Sequence, residues 1–347
     1  MKLGITPLKF GKSIGVDVDL LLHAEALGFD SAWSGEAWGS DAVSAAAWML
    51  AKTEKIKVGT SIMQMPARAP SMTAMTALSL DHMSDGRFIC GLGPSGPQVV
   101  EGWYGVPYGK PMMRTREYVS ILRHIFRREA PLEHQGEHYQ IPNTGPGTMG
   151  FGKPLKCILH GKPDIPIYTA AISPIGLRLA GEIADGVLPL WMNPEKTHLI
   201  TDYIKEGQRK GGREGLPFDI AVGVTVLLAK NQDEVEKARI PAKNNLALYI
   251  GGMGARGKNF YNDYCKRLGY EEAAVKIQDA YLAGDHKTAI GLVPDELVHE
   301  LFLIGTEGQL RERMQVWKAA SENGGVDTMM IGTKQPRALE ILAEELL

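Results

Sequence analysis

The stretch from Ile56 to Gly96 limits what this chain can fold into more than any other. Ile56-Lys-Val-Gly-Thr-Ser-Ile-Met63 reads as a short apolar strand. A loop follows with Arg68 between Pro66 and Pro70, and then a helix-like run from Ser71 to Met83. A second strand, Arg87-Phe-Ile-Cys-Gly-Leu92, runs straight into Gly93-Pro-Ser-Gly-Pro97. Two short strands joined by one amphipathic helix make a βαβ unit, which requires the strands to be parallel. Both strands break off into segments rich in Gly, Pro, Ser and Met, at the carboxyl ends where α/β proteins bind ligands. The binding site is expected there.

Gly91-Leu-Gly93-Pro-Ser-Gly96 also satisfies G-x-G-x-x-G after a strand, the dinucleotide-binding fingerprint. Three features weigh against that reading. Pro97 and Gly102 discourage the regular helix that should follow. The sequence about 20 residues on, where an acidic strand end belongs, reads as helix from Arg114 to Phe126. The unit also lies fourth along the chain rather than first. What survives is that absent side chains let a ligand approach the backbone closely.

The 347 residues are enough to bury a large core, as one big α/β unit or two smaller ones. A net charge of −2 gives no sign of a nucleic-acid surface or a polybasic membrane anchor. No apolar run approaches the ~20 residues that span a bilayer, and Met1-Lys-Leu-Gly-Ile-Thr6 lacks the apolar core of a signal peptide. Cys90, Cys157 and Cys265 lie far apart without C-x-x-C spacing, which argues against disulfides and a cysteine zinc site. These features point to the cytoplasm.

Along the chain, strands are expected at Lys2 to Thr6, Phe29 to Trp33, the two stretches above, Ile165 to Thr169, Gly186 to Leu190, Asp219 to Ala229 and Val326 to Ile331. Helices are expected at Val16 to Leu27, Ala42 to Lys52, Ser71 to Met83, Thr115 to Arg128, Pro174 to Ala184, Glu195 to Lys210, from Gln232, Glu307 to Ser321 and Pro336 to Leu347. Eight strands alternating with helices, with no repeat and no linker, fit a (β/α)8 TIM barrel over residues 1–347. A doubly wound open sheet is the alternative. Two insertions account for the excess length. One, after the fourth helix at about 130–163, is rich in Gly and Pro, with a hairpin expected at Gly136 to Ile141. The other, between strands seven and eight at about 241–303, is mostly helical and carries a loop at Gly251-Gly-Met-Gly254.

Several residues could carry chemistry. Glu36 and Trp38 follow strand two, at the barrel mouth, where they are either functional or a solvated loop. Ser61-Ile62 ends strand three. Ser173-Pro174 pairs a favoured N-cap with a favoured first helical residue just past a strand end, so it is a well-capped helix or an anion site. Arg68 could bind an anion or form a surface ion pair. His134 and His138 are four apart, but Gly136 between them argues against one helical face and against a metal site. No nucleophilic constellation can be assembled, which points to chemistry done by a cofactor.

In sequence order, Gly28-Phe-Asp-Ser-Ala-Trp33, Lys57-Val-Gly-Thr-Ser-Ile62, Leu80-Asp-His-Met-Ser-Asp-Gly-Arg87, Gly91-Leu-Gly93 and Ala184-Asp-Gly-Val187 resemble the luciferase-like monooxygenase superfamily of flavin- and deazaflavin-dependent oxidoreductases. The resemblance covers nearly the whole chain. Gly93 to Gly105 and Leu248-Tyr-Ile-Gly-Gly-Met-Gly254 are similar to its branch using coenzyme F420, with FMN as the alternative cofactor. The resemblance implies a (β/α)8 barrel, often a homodimer, acting on a small-molecule substrate. It also implies a non-prolyl cis peptide at Ser61-Ile62 supporting the cofactor ring, a backbone approach by Gly93, Ser95 and Gly96, and a phosphate site at Ala171, Ile172 and Ser173. Glu36 falls where relatives place an acid near the ring. The sugar-phosphate dehydrogenase relatives carry a catalytic histidine after that acid. Here that position is Ala37, which speaks against that dehydrogenase activity. Relatives of the methylenetetrahydromethanopterin reductase type use a carboxylate instead, so the resemblance implies Glu36 as the acid/base candidate, with Trp38 shaping the substrate side. The implied reaction is hydride transfer at the deazaflavin C5; the alternative is an FMN monooxygenase using oxygen and a partner reductase.

Overall fold

Eight parallel strands close on themselves in the computed structural model of the chain, which describes residues 1–9 and 11–347. They are β1 (Lys2–Ile5), β2 (Ser31–Ser34), β3 (Lys57–Thr60), β4 (Phe88–Gly93), β5 (Ile167–Ala170), β6 (Gly186–Leu188), β7 (Asp219–Leu228) and β8 (Thr328–Gly332). Each pairs with the next in parallel, from Gly4 opposite Ser31 to Ala221 opposite Thr328. The ring shuts where Lys2 faces Thr328. An open sheet is thereby ruled out, and the eightfold alternation read from the sequence is the barrel itself.

The helices that matter to the site are α1 (Val18–Ala26), α2 (Ala42–Lys52), α3 (Pro70–Met83), α4 (Pro111–Arg127), α5 (Pro174–Ile183), α6 (His198–Gly211), α7 (Gln232–Ala247) and α8 (Phe260–Arg267). Their apolar faces pack on the outside of the ring in one continuous core. A second, smaller core fills the inside with Trp33, Ile89, Tyr168, Leu188, Ala221 and Met330. Room for the Trp33 indole comes from two neighbours without side chains, since a Cβ on Gly59 would lie 2.3 Å from the ring and one on Gly4 2.9 Å from its Nε1. The indole N–H donates to Ser31 Oγ at 2.9 Å, and Tyr168 donates to Asp219 at 2.8 Å below it. This plug makes the barrel a packed core with a floor, and the larger of two cavities among the described residues lies above it, at the carboxyl ends of the strands.

Three local readings change. A short helix does form at Pro97–Gly102, because Pro97 sits at the first helical position, where its missing N–H is harmless, and Val99 and Val100 are buried. The helix from Gln232 runs through Pro241 rather than stopping there, held by buried Val235, Ala242, Leu246 and Ala247 on either side of it. Packing outweighs the lost hydrogen bond. Gly251 and Gly252 belong to a widened helical turn, Leu248–Gly252, rather than to a loop. A Cβ on either would come within 2.5 Å of the Tyr281 side chain, so close packing accounts for these glycines. The strand Leu303–Gly305 pairs with the far end of β7 and returns the chain to the ring.

The first insertion is tied down by one carboxylate. Its hairpin pairs His134–Gln135 with Gln140–Ile141. Glu117 of α4 accepts the N–H groups of Glu137, His138 and Tyr139 at 2.9 to 3.0 Å. Gly136 makes this possible, for a Cβ there would lie 2.2 Å from the carboxylate. Burial would raise the Glu117 carboxyl, but these three donors and His134 outweigh it and hold it below its ordinary value. A depressed carboxylate stabilises the fold fully above its unfolded value and loses that contribution as pH falls through the folded one. Glu117→Gln should therefore cost about 1–2 kcal/mol at pH 7 in urea unfolding. The gap from the parent protein should close as pH drops below about 4; a gap independent of pH would reject this account.

Candidate active site

The ladder between β3 and β4 carries one extra residue at its carboxyl end. Gly59 faces Ile89, and pairing resumes with Met63 opposite Leu92, four residue steps on one strand against three on the other. The strand therefore bulges at Ser61-Ile62, and the peptide between them is cis. Thr60 fastens the base of the bulge: its hydroxyl donates to the Gly91 carbonyl at 2.7 Å and accepts the Gly91 N–H at 3.0 Å. No side chain fits at residue 91, where a Cβ would fall 1.6 Å from Thr60 O. Above it, Ile62 lies against Gly93, whose absent Cβ would sit 2.7 Å from Ile62 Cδ1. The Gly91 and Gly93 of the fingerprint-like motif thus serve strand contact first.

A cavity of about 450 Å³ opens over this bulge. The candidate catalytic and cofactor residues read from the sequence line it: Glu36 and Trp38 after β2, Ser61 and Ile62, Gly93 at the end of β4 with Ser95 and Gly96 beyond it, and Ala171, Ile172 and Ser173 after β5, whereas His134 and His138 do not. Ser95 holds a left-handed backbone conformation, φ 60°, which keeps the chain tight around the cavity edge. Ser173 caps α5, its Oγ accepting the Gly176 N–H at 3.3 Å, with Pro174 next. The first turn of α5 therefore faces the cavity with Ser173, Ile175 and Gly176.

Arg68 lies outside the lining, behind Glu36. Its guanidinium grips Glu36 with two parallel bonds of 2.7 and 2.8 Å and reaches Asp41 as well. Glu36 further accepts the N–H groups of Ala42 and Gln64, both at 3.1 Å. The Glu36 side chain is 4% exposed and that of Arg68 18%. Burial works against the charge on Arg68, but the two carboxylates more than offset it and raise its proton affinity. Four donors thus engage the Glu36 carboxylate. It ties the loop after β2, the start of α2 and the segment after the bulge into one unit. Trp38, by contrast, is 54% exposed at the rim.

The luciferase-like monooxygenase family model matches residues 10–323. The chain belongs to that family. A provisionally named coenzyme F420-dependent oxidoreductase of Mycobacterium tuberculosis is 42% identical over 318 residues, covering 91% of this chain and 89% of that protein. The 5,10-methylenetetrahydromethanopterin reductase of Archaeoglobus fulgidus is 27% identical over 331 residues, covering 93% and 92%. Among solved structures, the coenzyme F420 dependent tetrahydromethanopterin reductase of Methanopyrus kandleri superposes with a TM-score of 0.77 at 26% identity, covering 99% of this chain and 97% of that one.

In this luciferase-like barrel the cavity also gathers residues that strand-end reasoning does not reach. Gln64, 2% exposed, donates to the Ala37 carbonyl at 3.1 Å, and its Oε1 has no partner among the described residues. Tyr108 comes from the stretch leading into α4, Met112 from its first turn, and Tyr249, Met253, Phe260 and Tyr261 from the second insertion. Arg267 at the end of α8 donates to the Ile172 carbonyl at 2.6 Å and so fixes the loop after β5 from the side of the insertion. Only Gln64, one residue beyond the β3 strand read from sequence, had a local signal. The others are brought in by helices and connecting segments whose sequence pattern does not show what they face.

If Glu36 and Arg68 anchor one another, Arg68→Ala should lower stability by roughly 2–3 kcal/mol, since it leaves a buried carboxylate short of its main partner. Adding Glu36→Gln to that variant should recover most of the loss in urea unfolding. Additive costs for the two substitutions would show that the pair is not coupled.

Proposed function

We propose that the chain is a coenzyme F420-dependent oxidoreductase that moves a hydride between the deazaflavin C5 and a small organic substrate. The observation that carries this reading is the convergence, in one cavity, of a bulged third strand, a glycine-lined fourth-strand loop and a helix N-terminus. Relatives named as a coenzyme F420-dependent oxidoreductase and as methylenetetrahydromethanopterin reductases support it.

The residues fit such a group. Apolar Ile62, Leu188 and Met330 offer a surface for a flat ring. Gly223 lines the cavity with nothing closer than 4.0 Å to where its Cβ would stand, and Gly96 is nearly as open, so backbone can approach a ligand there. The unpartnered Gln64 Oε1 is an acceptor that a ring imide N–H would satisfy. The Ser173 hydroxyl, whose oxygen already accepts from Gly176, keeps its proton for an anion, beside the free N–H groups of the first turn.

When bound, the deazaflavin supplies a two-electron hydride donor or acceptor at C5. The chain does the rest. Ser61 and Ile62 support the ring from the bulge; Gly93, Ser95 and Gly96 approach it backbone-first; Ala171, Ile172 and Ser173 hold the phosphate. Glu36, engaged by four donors, keeps the loop carrying Trp38 in place. A direct proton role for Glu36 would require the Arg68 pair to open. Trp38 at the rim and the inserted segments exclude water from the reacting atoms.

Two further features complete the reading. Trp48 on α2 and Met72 and Met75 on α3 are about half exposed on neighbouring helices, and we assign them to the face between two copies of the chain. Sedimentation equilibrium should give twice the chain mass; a monomer at micromolar concentration would remove the assignment. The three cysteines are unpaired, which suits a reducing compartment and a place in the cytoplasm. Among the described residues no helix is long and apolar enough to cross a membrane.

The cofactor is tested by titrating the protein with F420 and with FMN while following the chromophore. F420 should bind much more tightly than FMN. Tight FMN binding without F420 binding, together with oxygen uptake in the presence of reduced FMN, would replace this reading with that of a monooxygenase.

A further inference from the structure

Glu36 is the only charged residue lining the cavity among the described residues, and its carboxylate is occupied by Arg68 and two backbone N–H groups. No lysine or arginine is among the described lining residues, and the Arg267 guanidinium, held on the Ile172 carbonyl, stands on the side of the first turn of α5. The anion-binding capacity of the cavity is therefore confined to the first turn of α5. A substrate carrying its own phosphate or carboxylate would bury that charge against Met112, Met253, Phe260 and phenol rings, with no counter-charge.

Three tyrosines stand on this apolar side: Tyr108 before α4, Tyr249 in the widened turn after α7, and Tyr261 in α8. Tyr249 and Tyr261 meet edge to face with ring centres 4.8 Å apart, and Trp191 packs against both at 5.5 and 5.8 Å. Two buried asparagines lock them. Asn259 donates to the carbonyls of Tyr249 and Ile250 at 2.9 and 3.0 Å, while its Oδ1 accepts the N–H groups of Tyr261 and Asn262. Asn262 donates to Ile250 O at 3.2 Å and Ala274 O at 2.8 Å. The hydroxyls of Tyr249 and Tyr261 have no hydrogen-bond partner among the described residues, although both rings line the cavity. Burial, with the neighbouring Tyr249 and Tyr108 phenols, holds the Tyr261 phenol above its usual value. It is therefore a neutral donor at pH 7 rather than a base.

We infer that the substrate is an uncharged, largely apolar compound bearing a carbonyl-type oxygen, which the Tyr261 hydroxyl holds by a hydrogen bond. This rests on the F420 reading for the redox chemistry, but the selectivity is built from side chains of this chain alone. A pocket with a fixed donor and no cation discriminates in two ways. It accepts a neutral hydrogen-bond acceptor, and it rejects an anion of the same shape because the anion cannot recover its hydration.

The test compares three probes of matched bulk, tert-butylcyclohexanone, tert-butylcyclohexane and tert-butylcyclohexane carboxylate. Their binding is measured calorimetrically to the protein with and without saturating oxidised F420. The ketone should bind at least about tenfold more tightly than the carboxylate, a difference of about 1.4 kcal/mol. Tyr261→Phe should weaken the ketone about fivefold and leave the hydrocarbon within about twofold, as expected for loss of one hydrogen bond. Carboxylate binding equal to that of the ketone would overturn the substrate class. An unchanged ketone affinity in Tyr261→Phe, or an equal loss for ketone and hydrocarbon, would remove the role of Tyr261. Failure of F420 itself to bind would sink the proposed cofactor instead, while the probe ranking on the unloaded protein would still decide the substrate class.

Discussion

Between β3 and β4 the two backbones come so close at Thr60 and Gly91 that a methyl group on residue 91 would overlap the Thr60 carbonyl. The Thr60 hydroxyl spans that junction by both donating to and accepting from the Gly91 backbone. Held this tightly, β3 places its extra residue immediately above, in the bulge at Ser61-Ile62, before pairing resumes at Met63. The bulge raises Ile62 over Gly93, and Ile62 forms part of the cavity floor. A larger residue at 91 would push the strands apart, and the floor would lose its shape.

The remaining walls are arranged around that junction by polar contacts of long sequence reach. Glu36 and Arg68 join the loop after β2 to the segment after the bulge. Arg267 joins α8 to the loop after β5, and Asn259 and Asn262 join the widened turn to α8. These groups are buried or partly buried, and their hydrogen bonds within the protein specify one geometry. The site is thus assembled by loops, on a scaffold whose own core, the plug around Trp33, lies below it.

The Gly-rich motifs show how one residue type answers different demands. Gly91 and Gly93 make room for strand and bulge, Gly251 and Gly252 for the Tyr281 ring, and Gly136 for the Glu117 carboxylate. Gly96 and Gly223 leave open space in the cavity lining. In the sequence all of them read alike, because a glycine records that a side chain is unwelcome without saying what takes its place.

The sequence by itself determined the eightfold alternation of strands and helices, while the pairing of β1 with β8 decided that the sheet closes into a barrel rather than staying open. Alternation of apolar strands and amphipathic helices is a local property, and parallel strands joined by helices have few ways to close. It also placed Glu36, Ser61, Gly93 and Ser173 at or just past the carboxyl ends of strands two to five, where the cavity opens. Only the tertiary structure decided the rest. The pairing of Glu36 with Arg68, the continuation of a helix through Pro241, and the arrival of Tyr249 and Tyr261 over the cavity depend on contacts between segments far apart in the chain. Such contacts leave no periodic trace in the sequence. They are selected by which groups must be satisfied or buried once the ring has closed.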